Sequence, residues 1–139
     1  MDLLLLGAGY LARKIIKLSP NSNIIALRRE KSSQDLVNSC SYRYGDIFRL
    51  ENNLVNNVTR PFKGTVVVML SPSTYKNDLT ESVSKVARLF DQNLLKKLIL
   101  VSSTGIFSDG CKNKIDNSYH QPTPLNSRAK KIHAIETEW

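Results

Sequence analysis

Gly7-Ala8-Gly9-Tyr10-Leu11-Ala12 forms a G-x-G-x-x-A run between an apolar segment and an amphipathic one. Such a run binds anions without a charged side chain. Gly7 permits a sharp exit from the preceding strand, Gly9 lets backbone approach a pyrophosphate, and Ala12 lets the next helix pack close to that strand. The helix N-terminus offers free N–H groups and a positive dipole end to phosphate oxygens, so Tyr10 and Leu11 in the first turn belong to the same cradle. The chemistry this predicts is dinucleotide binding. The same glycines would also serve a plain strand–helix turn on steric grounds.

Further groups fall where they could meet the same ligand. The second apolar run ends Ala26-Leu27-Arg28-Arg29. A unit that holds NAD usually has Asp or Glu there, accepting from the ribose hydroxyls. A carboxylate would repel a 2′-phosphate, whereas guanidinium groups pair with it in a bidentate manner. Arg28 and Arg29 therefore favour NADP over NAD, although Glu30 follows directly and both arginines also read as exposed charges at a strand end. Asp46, in Tyr44-Gly45-Asp46-Ile47, either approaches the adenine or caps a helix. Ser71, Pro72 and Ser73 follow a fourth strand and would flank the nicotinamide-side ribose, and Ser102, Ser103 and Thr104 follow a fifth.

These groups need a scaffold that gathers strand ends. Strand-like runs at Asp2–Leu6, Asn23–Leu27, Ser41–Tyr44, Thr65–Leu70 and Lys97–Val101 alternate with helical patterns. Helices are predicted from Tyr10, over Ser32–Asn38, within Asp46–Pro61, over Asp78–Asn93 and over Pro124–Trp139. Near-continuous apolar strands alternating with helices imply a parallel sheet covered on both faces. The predicted fold class is α/β: a doubly wound parallel sheet (Rossmann fold) of about five to six strands with helices on both faces, ordered 3-2-1-4-5. Residues 1–139 are read as one NAD(P)-binding domain. Ligands of such sheets sit beyond the C-terminal strand ends, at the switch between strands 1 and 4, which is where the candidate residues fall.

Composition narrows the class. The chain has 139 residues, 41% hydrophobic and 23% charged, close to the globular average, so a packed core is expected. The Leu3–Leu6 run is too short for a signal-peptide core and follows Asp2 rather than a basic region. A cytoplasmic protein without membrane association is the expectation. Cys40 and Cys111 lack C-x-x-C spacing, and His120 and His133 stand alone, so no metal is predicted. The net charge of +8 comes from scattered pairs such as Lys96/Lys97 and Lys130/Lys131, without a basic stripe interleaved with aromatics. Nucleic acid is accordingly not expected as a partner.

Three segments together carry a family resemblance. Gly7–Ala12, Tyr44-Gly45-Asp46 and the run Leu100–Gly110 (LVSSTGIFSDG) resemble the extended and atypical short-chain dehydrogenase/reductases of the epimerase/dehydratase type. In that family the fifth strand enters a V-S-S-x-x-V-Y-G-D segment, and the following D/E-x-x-P-x-x-P loop resembles Ile115–Pro124. The resemblance implies hydride transfer at a carbonyl or hydroxyl carbon of a small-molecule substrate. It places Ser103 at the family's catalytic Ser/Thr position, with Ser102 and Thr104 as alternatives.

Two departures stand beside it. The family's acid/base motif, Tyr-x-x-x-Lys, is absent from the last helix, where the alignment expects it. Aligning the last helix on Glu136 puts Arg128 at the Tyr position and Ile132 at the Lys position; neither does that chemistry, and Lys130 and Lys131 are out of register. Tyr75 and Tyr119 lie on loops without a Lys partner. Family members also continue with another strand and a substrate-binding region, so a homodimer or a truncated remnant is a further expectation. The alternative to an enzyme is a non-catalytic dinucleotide-binding sensor, comparable in length to the ligand-binding domains that gate potassium transport.

Overall fold

The computed structural model describes residues 1–36, 38–48, 57–59, 61–69, 80–101 and 127–138. Strands β1 (Asp2–Leu6), β2 (Asn23–Arg28), β3 (Ser41–Tyr44), β4 (Gly64–Val68) and β5 (Leu95–Leu100) form one sheet in the order β3-β2-β1-β4-β5. All four pairings are parallel. This is the predicted doubly wound order. Among the described residues, helices α1 (Tyr10–Leu18), α2 (Thr80–Ala87) and α3 (Ser127–Thr137) accompany the sheet, with a short helical turn at 57–59.

The Leu3-Leu4-Leu5-Leu6 run is central because its alternate side chains feed two cores. Leu3 and Leu5 join Ala8, Ala12 and Ile16 of the α1 side, with Ile24, Ala26, Tyr42 and Val67. Leu4 and Leu6 join Val66, Val68, Val86 and Phe90 on the opposite face. A strand with period-two side chains and apolar residues at every position must be buried on both faces. β4 is likewise buried along its length, whereas the outer strand β5 has only exposed and half-buried residues. Val83, Val86 and Phe90 are buried at helical spacing, as the amphipathic pattern predicts. The helix itself is shorter than predicted, and Arg88–Phe90 continues it as a turn. In α3, Ala129 and Ile132 are the buried residues, and this helix packs against α2.

One predicted element is replaced by another structure. The segment Ser32–Asp35 is a turn, not the start of a helix. The Asp35 carboxylate accepts the Ser32 N–H at 3.0 Å, and the Ser32 hydroxyl accepts the Gln34 N–H at 3.2 Å. Short polar side chains that capture local backbone donors compete with helix formation, and here they win.

Packing at the start of β4 explains a glycine that the sequence reading passed over. A Cβ on Gly64 would lie 2.6 Å from the Asp2 carbonyl oxygen and 3.0 Å from the Phe62 ring. Backbone cannot move aside cheaply, so Gly64→Ala is expected to lower stability by roughly 1–3 kcal/mol. A urea titration followed by circular dichroism would show this as a lower midpoint with an unchanged slope.

Candidate functional site

The C-terminal ends of the strands lie along one edge. β1 ends at Leu6, whose carbonyl accepts the Met69 N–H at 2.8 Å. The Val68 carbonyl in turn accepts the Val101 N–H at 2.8 Å, and the Arg28 carbonyl accepts the Gly45 N–H at 2.9 Å. Five strand ends are thereby knitted together beside the turn between β1 and α1.

That turn is organised around one oxygen. The Leu27 carbonyl accepts the N–H groups of both Gly7 (3.1 Å) and Ala8 (2.9 Å). Gly7 has φ of 84°, in the left-handed region where glycine is favoured. Gly9 differs. Its φ is −95°, and a Cβ there would meet nothing closer than the Gly7 carbonyl oxygen at 4.0 Å. The neighbours leave room for a side chain at that position, and the space in front of it opens outward. Helix α1 begins next, with no side-chain cap and no acidic residue in its first turn. Ala12 is fully buried against the sheet, as expected, while Tyr10 and Leu11 are exposed at the mouth of the turn. The Arg13 guanidinium and the Lys14 ammonium lie 6.0 and 5.5 Å from the Tyr10 ring centre. A cavity of about 270 Å³ runs between this face of α1 and Gln34 and Leu36, with Arg13 donating to the Gln34 side-chain oxygen.

The two arginines have different surroundings. Arg28 is paired with Asp35, whose side chain is only 1% exposed. Asp35 also accepts the Ser32 N–H and the Tyr44 hydroxyl, the latter at 2.9 Å. Burial pushes the Asp35 carboxyl up, but Ser32, Tyr44 and Arg28 together outweigh it and hold the group below its ordinary value. Arg29 is 63% exposed and lies 3.6 Å from Asp46, a loose ion pair. The other Asp46 oxygen accepts the Phe48 N–H at 3.0 Å, so Asp46 caps a turn as well. Tyr42 and Tyr44 stack with 6.1 Å between ring centres, and the Tyr42 hydroxyl accepts the Leu36 N–H. Loop 29–36 is thus tied to β3 at two points and to α1 at one.

The structure therefore brings Gly7, Gly9, Tyr10, Leu11, Ala12, Arg28, Arg29 and Asp46 to one edge. Ser71, Pro72, Ser73, Ser102 and Ser103 lie outside the described residues. Asp35 is the residue that the sequence reading missed. Its signal was a lone carboxylate seven positions beyond Arg28, on a segment whose period suggested helix. In α3, Ile132 is buried and Lys130 and Lys131 are exposed, so the position aligned with the family's lysine does packing work. Cys40 is a free thiol that burial pushes above its ordinary value, only partly opposed by Tyr42. It is protonated at neutral pH and a poor nucleophile. Among the described residues, no three His, Cys, Asp or Glu side chains gather as a metal site, and no helix is long and apolar enough to cross a membrane.

No protein-family model and no curated protein sequence matches the chain. Solved structures do match in fold. UDP-glucuronic acid 4-epimerase from Bacillus cereus, in complex with UDP-4-deoxy-4-fluoro-glucuronic acid and NAD, superposes with a TM-score of 0.72 at 13% identity, covering 99% of this chain and 51% of that one. A short-chain dehydrogenase/reductase superfamily protein from Agrobacterium tumefaciens with bound NAD gives 0.74 at 9% identity, covering 99% and 44%. The dTDP-glucose 4,6-dehydratase from Bacillus anthracis, in complex with NAD, gives 0.65 at 16% identity, covering 99% and 48%. The chain spans about half the length of these proteins and shares their fold over that part.

The Asp35 environment has a pH consequence. A carboxyl whose native pKa lies below its unfolded value of about 3.8 stabilises the fold fully above that value, and the contribution is lost as pH falls through the native pKa. The wild-type melting temperature is expected to fall more steeply below about pH 5 than that of Asp35→Asn, which is less stable at neutral pH. Parallel acid profiles in scanning calorimetry would refute the assignment.

Proposed function

We propose that this chain binds a nicotinamide dinucleotide at the C-terminal edge of its sheet, as the nucleotide-holding part of an epimerase-, dehydratase- or reductase-type protein. The observation that carries this reading is Gly9: a glycine with room for a side chain, facing open space, before an uncapped helix N-terminus. A pyrophosphate is the ligand that makes sense of all three features, because it needs close backbone approach and unpaired N–H donors. The NAD complexes of proteins with the same fold add support. Gly7, Gly9 and the first turn of α1, Tyr10 to Ala12, would hold the pyrophosphate. Asp46 would stand at the adenine side, and Ser71, Pro72, Ser73 and Ser102 at the nicotinamide side.

The bound cofactor would supply hydride transfer at a carbonyl or hydroxyl carbon. Ser103 would contact the substrate. The last helix carries Arg128 and Ile132 where the family has its Tyr and Lys, so a non-catalytic sensor role follows equally from the same cradle. Preference for NADP over NAD rests on Arg29, whose exposed guanidinium is only loosely engaged by Asp46.

Calorimetric titration with NADPH and NADH tests the reading directly, and no binding at millimolar concentration would overturn it. Two glycine variants separate fold from ligand. Gly7→Ala is expected to cost about 1–2 kcal/mol of stability, because alanine is strained at φ of 84°. Gly9→Val is expected to lower stability by no more than about 1 kcal/mol, since Val serves poorly at the helix N-cap, while weakening both nucleotides at least tenfold. Arg29→Ser is expected to weaken NADPH about tenfold and NADH little, as loss of a charge-assisted pair implies. Equal small losses would remove the NADP preference and leave the dinucleotide site standing.

A further inference from the structure

We infer that Asp35 sets the nucleotide selectivity of this site by withholding Arg28 from it, an inference that rests on the dinucleotide reading above. Arg28 closes β2, directly after the residue whose carbonyl organises the glycine turn. By position it is the cation best placed to meet a 2′-phosphate. Its guanidinium is nevertheless 23% exposed and joined to a carboxylate that is almost wholly buried. That carboxylate does not depend on Arg28 for its place. The Ser32 N–H and the Tyr44 hydroxyl hold it independently, and Tyr44 is itself fixed opposite Arg28 in the β2–β3 register. Asp35 is therefore a stationary counter-ion.

An incoming phosphate faces two options. It meets a pair that is already neutral, or it draws Arg28 away and leaves a buried carboxylate short of its counter-charge. The first gains it nothing and the second is unfavourable. A ribose 2′-hydroxyl asks for neither. Asp35 thus denies the 2′-phosphorylated nucleotide the gain that a free Arg28 would give, and Arg29 alone is left to favour it. Because Asp35 is too buried to touch a ligand, it is a positioning residue that acts through Arg28.

The test is the ratio of NADPH to NADH affinity, measured by calorimetry on the whole chain. Asp35→Asn keeps the shape and removes the charge. It is expected to tighten NADPH about tenfold while moving NADH less than about twofold, as release of one charge-assisted partner implies. The gain should shrink as salt is raised. Tyr44→Phe removes one anchor and keeps the charge; it should lower the melting temperature with the ratio unchanged. The double variant Arg28→Ser with Asp35→Ser removes the neutral pair together and should also leave the ratio within about twofold of wild type. A ratio that stays fixed in Asp35→Asn, or falls about tenfold in the double variant, would overturn the inference while leaving dinucleotide binding intact. Failure of every form to bind either nucleotide would instead overturn the underlying reading and this inference with it.

Discussion

The Leu27 carbonyl oxygen is the point on which the site turns. It accepts the N–H groups of Gly7 and Ala8, and so ties the end of β2 to the exit from β1. Only a residue at φ of 84° can turn the chain sharply enough to present both donors to one acceptor. Ala12 can then seat α1 directly against the sheet, and the uncapped helix N-terminus is left facing the strand ends. The apolar β1 anchors this turn from below by contributing alternate leucines to both cores. A mobile version of the same loop would lose this arrangement, because backbone donors point in a fixed direction only when the turn behind them is rigid.

A second constraint is electrostatic. The protein carries a net charge of +8, yet the arginine that closes β2 is neutralised from within. Asp35, Arg28, Ser32 and Tyr44 form a satisfied network on the α1 face, and the stacked tyrosines of β3 support it from beneath. Such a network is costly to leave half made, so its members hold one another in place. It gives loop 29–36 a defined shape without a helix. It also means that the positive charge offered to an anion at this edge is less than the count of arginines suggests.

Much of the architecture was legible because the signals are local. Runs such as Leu3–Leu6 and Val66–Val68 are short, apolar and bounded by turn residues, so their strand character and burial follow from composition alone. The glycine spacing announced the β1–α1 turn, and Gly7 and Ala12 behave as their types predict. Segments with mixed signals were read less well. Ser32–Asn38 has helical spacing, but the Ser32 and Asp35 side chains take the backbone donors that a helix needs. The constraint on Gly64 comes from Asp2 and Phe62, one of them far away in sequence, and no local pattern shows it.

The amino-acid sequence by itself determined the strand–helix alternation, the parallel order of the sheet and the place of the glycine turn between β1 and α1, since each follows from short-range periodicity and from what glycine alone permits. It could not determine which charges are free. Arg28 and Arg29 are adjacent and chemically identical in the sequence, and only the tertiary structure separates them. One is clasped by a buried carboxylate that loop 29–36 folds back to deliver; the other stays in solvent beside a distant one. The physical reason is that Coulomb energy depends on distance and burial, and both are set by the fold rather than by position along the chain.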